Sequence, residues 1–284
     1  MSVVNAILRT IFDLALAPFR SLPPIVGLLV VSLVAAVGML LVFKATSNQR
    51  QLEAVKRRIH ACLFEIRLFN HDLPAILRAQ MEILRHNLNY LRLSAVPMLW
   101  MLVPFLLVIA QLQFHYGYRG LAPGQDFLVK VQLKDGWETR AALAQSQVST
   151  RPAASLQAPA GLQVETPPVW IPSQRELAWR LRAQEWGDYR LAVRLGDQEY
   201  PKAVQVSREV RRRSPVRLEP GFVNELLYPA EESLPKESPI TSITVAYPDA
   251  SVSLLGWHTH WMVVFFILSA AFAFALRGRF GVTI

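Results

Sequence analysis

Three long runs of apolar residues divide the chain, at 22–43, 94–114 and 257–276. The first two contain no charged residue, and the third has only two histidines, His258 and His260, near its beginning. About 20 apolar residues are enough for a helix to cross the hydrocarbon core of a bilayer. The pattern therefore predicts three transmembrane helices, which we call spans one, two and three.

Residues 44–93, between spans one and two, show heptad spacing on both sides of a short turn. Asn70, His71 and Asp72 form this turn, where they can end one helix and cap the next. The pattern predicts an antiparallel coiled-coil hairpin whose two apolar rows face each other. The row of the first arm is Leu52, Val55, Ile59, Cys62, Ile66 and Phe69, and the row of the second arm is Leu77, Met81, Leu84, Leu88 and Leu91.

Residues 115–256 differ from the rest, because apolar and polar residues alternate there and Pro and Gly are frequent. Short alternating segments separated by turns predict an antiparallel β-sandwich inserted between spans two and three. The segments are 127–133, 162–170, 176–183, 188–195, 202–207, 240–247 and 251–255. The stretch EWGDYRLAV, with Tyr189 at the start of a strand, resembles the tyrosine corner of immunoglobulin-like domains. We therefore expect an all-β immunoglobulin-like fold for this domain.

The pattern of apolar and polar residues in 1–21 predicts an amphipathic helix that is too polar to cross a membrane. Asn5, Arg9 and Asp13 follow one another at intervals of four, and apolar side chains occupy the opposite face. Such a helix suits the membrane interface. A helix packed on the inserted β domain is the alternative.

Charge predicts the orientation of the spans. Residues 44–93 contain nine Lys and Arg against four Asp and Glu, whereas residues 115–256 contain 17 against 16. Short basic loops remain in the cytoplasm, so we expect the hairpin and the tail 277–284 inside, and the N-terminus and β domain outside. Aromatic residues that would anchor the outer interface are Tyr116, Tyr118, Trp257 and Trp261.

Composition narrows the class of function. The chain is 52% hydrophobic and has one cysteine, Cys62, which excludes a disulfide within the chain. Glycine-rich phosphate loops, nucleophile elbows and CxxC or HExxH motifs are all missing from the sequence. The H-x-H pair His258 and His260 offers only two metal ligands. We expect neither an enzyme nor a bound metal or cofactor, and no DNA partner.

The hairpin carries a basic surface with two interpretations. It is either a solvated face or a docking surface for an anionic partner such as ribosomal RNA or lipid headgroups. The candidate docking residues are Arg57, Arg58, Arg67, Arg78 and Arg85.

The order of these parts resembles the YidC/Oxa/Alb membrane insertase superfamily, especially its three-span branch. The resemblance rests on VVNAILRTIFDLALAPF (3–19), VGMLLVFKATSNQRQLEAVKRRI (37–59) and HNLNYLRLSAVPMLWMLVPFLL (86–107). It covers about half of the chain. Bacterial members of the superfamily carry an arginine in the first span, whereas the only polar side chain in span one here is Ser32.

The resemblance implies a protein of the bacterial inner membrane that inserts or chaperones nascent membrane proteins. Its clients would enter a groove between the three spans, and the hairpin would approach the ribosome or a translocon. The candidate groove residues are Ser32, Lys44, Met98, Met101 and Ser269. The alternative is a scaffold without insertase activity, whose β domain binds an envelope partner and whose hairpin binds another coiled coil.

Overall fold

The structure, a computed structural model, describes residues 2–69, 71–136, 152–254 and 256–282. Two compact units make up the chain: residues 1–27 with 109–261, and residues 28–108 with 262–284. The α-helices in the described residues are α1 (Ser2–Leu16), α2 (Pro24–Thr46), α3 (Gln49–Leu68), α4 (Leu73–Tyr116), α5 (Phe222–Leu227) and α6 (Trp261–Phe280).

Three of these helices, α2, α4 and α6, are long and apolar enough to cross a membrane. The second arm of the predicted hairpin and span two form one helix, α4, of 44 residues. At a rise of 1.5 Å per residue, α4 is about 66 Å long. Pro97 and Pro104 lie inside it without ending it, as transmembrane helices tolerate.

The third span begins later than its hydropathy indicates. Trp257–Thr259 is a short strand, β11, which pairs with β10 (Val252–Leu254), and α6 starts only at Trp261. The predicted start at residue 257 is therefore wrong. The apolar run includes Trp257 because β11 carries this tryptophan and ends only two residues before Trp261, the first residue of α6.

Polar caps fix both arms of the hairpin. The side chain of Asn48 accepts a hydrogen bond from the backbone N–H of Gln51 (3.2 Å), and Asp72 accepts one from that of Ala75 (3.3 Å). Each cap satisfies a donor that the first turn of its helix leaves free. The predicted role of Asp72 is confirmed, while Asn70 lies outside the described residues.

The predicted apolar row of α3 faces inward for most of its length. Leu52, Val55 and Cys62 are buried, and Ile59 and Ile66 are half-buried. Phe69, at the end of the row, is 49% exposed.

The predicted row of α4 is wrong. All five of its residues are exposed, and a second row with the same spacing faces inward instead. This inward row is Ile76, Ala79, Ile83, His86, Tyr90 and Leu93. Only Ala79 is fully buried. The structure therefore pairs α3 with the smaller, mixed face of α4.

The inserted β domain contains antiparallel strands in two main sheets. The larger sheet has the order β3-β5-β1-β9-β8, with β4 also on β5, and the smaller has the order β2-β6-β7. The strands are β1 (Asp126–Leu133), β2 (Ala154–Gln157), β3 (Leu162–Val164), β4 (Val169–Ile171), β5 (Glu176–Ala183), β6 (Gly187–Leu195), β7 (Gln198–Val206), β8 (Val216–Leu218) and β9 (Ile240–Val245).

The two sheets share one hydrophobic core. Val129, Trp179, Leu191 and Val204 are 2% exposed or less and belong to the same cluster. Alternating burial along β1 and β5 follows the period of two that the sequence shows. The strands that the sequence analysis misses are β2, β8 and β11, which are only three or four residues long.

The side chain of Tyr189 bonds back to the turn that precedes β6. Its hydroxyl donates to the backbone carbonyls of Glu185 (3.1 Å) and Trp186 (3.4 Å). Gly161 has a positive φ of 96°, and a side chain there would collide with the same hydroxyl. These contacts of Tyr189 therefore tie the beginning of β6 to the turns around it.

Candidate functional site

Two buried hydroxyl groups lie among the apolar spans. Ser32 in α2 is fully buried and Ser269 in α6 is half-buried, and neither Oγ atom has a hydrogen-bond partner among the described residues. Ser32 is eight residues after the start of α2, and Ser269 is eight residues after the start of α6. Both hydroxyls are therefore about 12 Å along their helices.

The remaining predicted groove residues lie in different surroundings. Met98 is 63% exposed on α4, and Lys44 is exposed near the end of α2. Met101 packs against a cluster that includes Leu40, Phe43 and Leu52. The structure therefore places Met101 in the packed region, and leaves Met98 and Lys44 accessible.

This hydrophobic cluster lies at the end of the spans nearest the hairpin. Leu40 and Phe43 of α2 and Leu52 of α3 form its centre together with Val282. Residues of α4 and α6 complete it: Tyr90, Leu93, Met101, Ala273, Leu276 and Phe280. Further along, Phe105 of α4 stacks on Phe265 of α6 with ring centroids 6.2 Å apart, and it meets Phe266 edge to face at 5.3 Å.

The hairpin arginines are all exposed. Arg57 pairs with Glu53 one turn earlier at 2.7 Å, and its side chain is 78% exposed. An exposed pair of this kind contributes little to stability. Ion pairing within the hairpin therefore does not explain why its surface is basic. The other exposed candidates are Arg58, Arg67, Arg78 and Arg85.

The predicted outer anchors divide into two groups. Trp257 is 56% exposed and Tyr118 is half-buried. Tyr116 and Trp261 are buried, and the indole N–H of Trp261 donates to Oε1 of Gln113 at 3.0 Å. The prediction that Tyr116 and Trp261 anchor the protein at the lipid interface is therefore wrong, because both rings pack inside the protein.

A polar network that the sequence analysis missed holds α1. The Oδ1 atom of Asp13 is 3.0 Å from Nε2 of His115 and accepts a hydrogen bond from Nε of Arg212 at 3.0 Å. Arg212 also donates to Oε1 of Gln111 (2.8 Å) and to the backbone carbonyl of Arg9 (3.1 Å). One guanidinium therefore links α1, the end of α4 and the β domain.

These contacts correct the prediction for the first helix. Its polar row faces the protein, because Asn5 donates to the carbonyl of Glu225 and Asp13 binds Arg212. Its apolar side chains Ile7, Ile11 and Leu14 are 54, 55 and 74% exposed. The packed alternative is therefore correct, and the helix still presents an apolar face outward.

A second buried charge lies in the β domain. Lys202 is fully buried, and its Nζ donates to Oε2 of Glu231 (2.5 Å), to Oγ of Ser214 (2.8 Å) and to the carbonyl of Ser214 (2.7 Å). Burial lowers the pKa of Lys202 to about 8 even though Glu231 favours the charged form. The ion pair joins β7 to the segment after α5, and the hydrogen bonds to Ser214 join it to the segment before β8.

One group of potential metal ligands lies in the hairpin. The ligand atoms of Cys62, Glu65 and Glu82 lie within 4.8 Å of one another, and both glutamates are exposed. Burial and the Glu82 carboxylate raise the pKa of the Cys62 thiol. A protonated thiol is a poor metal ligand, so the contact of Sγ with Glu82 at 3.8 Å is better described as a weak hydrogen bond.

No family model matches the chain, and no curated protein or solved structure matches it significantly.

Proposed function

We propose that this protein is a YidC-like insertase or intramembrane chaperone, which receives segments of nascent membrane proteins between its spans. The observation that carries the proposal is the pair of unpartnered hydroxyls on Ser32 and Ser269. A buried polar group without a partner costs about 1–3 kcal/mol. When a client parts the helices around these buried hydroxyls, one of its polar groups, or water that accompanies it, would satisfy them.

The physical gain from such a site is clear. A polar side chain at the centre of a bilayer costs several kcal/mol. Hydroxyl groups about 12 Å inside the membrane provide hydrogen-bond partners where lipid provides none. Clients with a polar residue in an otherwise apolar segment would therefore benefit most.

The same proposal includes the orientation. The basic hairpin lies in the cytoplasm of a bacterial inner membrane, and α1 and the β domain lie outside. The outward apolar face of α1, with Ile7, Ile11 and Leu14 exposed, is suited to the outer membrane interface. In this position the exposed arginines would contact a ribosome, a translocon or anionic lipids.

The β domain would bind an envelope protein partner through an immunoglobulin-like sandwich. The hydroxyl of Tyr189 supports this fold, since it bonds to Glu185 and Trp186 as a tyrosine corner does.

The test combines Ser32→Ala with Ser269→Ala in one double variant. It compares this variant with the wild type in the insertion of two clients. One client segment is wholly apolar, and the other carries a single central asparagine. We expect the double variant to insert the apolar segment normally and to lose at least half of the insertion of the polar one. Ser94→Ala is the matched control, because Ser94 is a third buried serine with an unpartnered hydroxyl, at the base of the hairpin.

Stability measurements separate function from packing. Removing an unpartnered hydroxyl should leave the protein as stable as before or slightly more stable. Unchanged insertion of the polar client would refute the proposed role of the two serines. A photocrosslinker at Met98 that captures one stable protein rather than short-lived nascent chains would instead support the scaffold.

A further inference from the structure

A row of large apolar side chains runs along the exposed side of the hairpin arm of α4. These residues recur at intervals of four and three, and each is more than half exposed. They are Leu77 (57%), Met81 (67%), Leu84 (57%), Leu88 (65%) and Leu91 (63%). We call them the outer seam.

The outer seam is separate from the face that packs on α3. Ala79 is buried and Ile83 and Tyr90 are half-buried on the inner side, whereas the outer seam lies on the opposite side of the same helix. An arm with two heptad rows is built to contact two helices, and α3 supplies only one of them.

Lipid does not explain the outer seam. The arm lies in the polar stretch 44–93, which contains nine Lys and Arg, and the same rigid helix continues into span two. A contact with lipid also needs no fixed spacing, whereas a regular repeat of seven residues is the signature of packing against another helix.

We propose that a second copy of this chain covers the outer seam, and that the two α4 arms form a parallel coiled coil. With Leu77, Leu84 and Leu91 at the d positions, Met81 and Leu88 take the a positions. The flanking e positions are then Arg78, Arg85 and Arg92, and the flanking g positions are Gln80 and Asn87.

The charge pattern selects the parallel arrangement. In a parallel pair each e residue meets a g residue of the other chain, so Arg85 meets Gln80 and Arg92 meets Asn87. In an antiparallel pair the e positions meet each other, which would bring arginine against arginine. Among the described residues Arg78, Arg85 and Arg92 form no ion pair that would reduce this repulsion.

Membrane insertion imposes the same arrangement. Copies inserted in one orientation have parallel α4 helices, because the arm and span two are one helix. The exposed row also continues into the span through Ala95, Leu99, Leu102 and Leu106. A two-fold axis along the membrane normal would therefore bring the two seams together over their full length.

Cysteine crosslinking in membranes tests the contact. Cys62→Ser supplies a background without cysteine, and Leu84→Cys then places one thiol on the outer seam. Asn89→Cys is the control, since Asn89 is exposed on the same helix but outside the seam. We expect mild oxidation to give a disulfide-linked pair of twice the chain mass with Leu84→Cys, at least fivefold more than with Asn89→Cys.

Gln80→Glu tests the direction of the helices. In the parallel pair the new carboxylate meets Arg85 of the other copy, so the crosslinked fraction should rise and become salt-sensitive. In an antiparallel pair the new carboxylate would meet the same carboxylate of the other copy, and the crosslinked fraction should fall. Leu84→Glu with Leu88→Glu should abolish dimers in bilayer nanodiscs without unfolding the hairpin, because both side chains are exposed within one chain.

Equal crosslinking at positions 84 and 89 would overturn the proposal, as would crosslinking of position 84 to a different protein. The result is independent of the proposed insertase activity, which is measured through Ser32 and Ser269.

Discussion

The Nε2 atom of His115 lies 3.0 Å from the Oδ1 atom of Asp13, although 102 residues separate them in the sequence. His115 is 3% exposed, and its other ring nitrogen lies 3.0 Å from the carbonyl oxygen of Gln111. Arg212 donates to the same carboxylate oxygen at 3.0 Å. Asp13 is therefore one of the points at which α1 is fixed to the rest of its unit, together with Asn5, which donates to the carbonyl of Glu225.

We expect Asp13→Ala to release α1 and to lower the free energy of unfolding by about 1–2 kcal/mol, since half-exposed charged hydrogen bonds contribute about that much. Arg212→Gln should cost more, because Arg212 is largely buried and joins three segments. Limited proteolysis near residue 20 would detect the released helix. Arg9→Gln is the control, because Arg9 contributes only its backbone carbonyl to the network.

The docking of α1 should be lost only in strong acid. Burial alone would raise the pKa of Asp13, but the hydrogen bond from His115 and the charge of Arg212 outweigh it and hold the pKa below 3.8. A carboxyl with a lowered folded pKa stabilises the fold above its unfolded pKa, and this contribution is lost as the pH falls through the folded value. Release at about pH 6 would contradict this account.

Glu231→Gln should destabilise the β domain by about 3–5 kcal/mol, because it leaves the ammonium group of Lys202 buried without a counter-charge. The double variant Lys202→Met with Glu231→Gln should lose less than the sum of the two single changes. Urea unfolding of the full chain followed by tryptophan fluorescence would measure both. Strictly additive losses would show that the two side chains do not interact.

The same lysine predicts how stability depends on alkaline pH. Burial lowers its pKa to about 8 from 10.5, so the folded protein binds fewer protons than the unfolded chain between these values. The contribution of Lys202 to the free energy of unfolding should therefore increase as the pH rises from about 8 to 10.5. Lys202→Met should abolish that rise, which a series of unfolding curves from pH 7.5 to 10.5 would show.

Gly27 permits a close contact between the beginning of α2 and the end of α4. A side-chain carbon at Gly27 would collide with the hydroxyl of Tyr116. The next atoms, Cβ of Phe19 and Cζ of Tyr116, would be 3.3 and 3.4 Å away. Gly27→Ala should therefore destabilise the protein by about 1–3 kcal/mol, as overpacking does. Adding Tyr116→Phe should restore most of the loss, and a double variant no more stable than Gly27→Ala would refute this contact.

Charge reversal on α3 tests the basic surface of the hairpin without touching the outer seam. We expect Arg57→Glu with Arg58→Glu to reduce co-sedimentation with ribosomes several-fold in low salt, and the difference to disappear as salt screens the contact. Arg190→Glu, an exposed arginine of the β domain, is the matched control. Equal co-sedimentation of the two variants would exclude a docking role.

Hydropathy and period-two patterns correctly predicted three long apolar helices and a separate β-sheet region. The segments predicted at 127–133, 176–183 and 188–195 are β1, β5 and β6 within one residue. These signals succeed because each strand buries alternate side chains in one core. The short strands β2 and β8 carry too few residues for any period to emerge.

The sequence could not decide between the two faces of the hairpin arm of α4. Both Leu77 to Leu91 and Ile76 to Leu93 repeat with heptad spacing, and the larger leucines favour the row that proves to be exposed. Only the partner helix decides which row is buried. Similarly, Asp13 finds Arg212 across 199 residues, a distance over which local patterns carry no information.

The inverted amphipathic character of α1 has a thermodynamic consequence. Its polar row is engaged by Arg212, and Ile7, Ile11 and Leu14 point away from the protein. In the proposed orientation, the bilayer acts as a ligand that binds α1 only when α1 is docked on its folded unit. Because a ligand that binds only the folded state stabilises it, the affinity of α1 for lipid adds to the free energy of unfolding of that unit. The same β domain should therefore unfold at a higher temperature in lipid than in detergents that solvate the helix poorly.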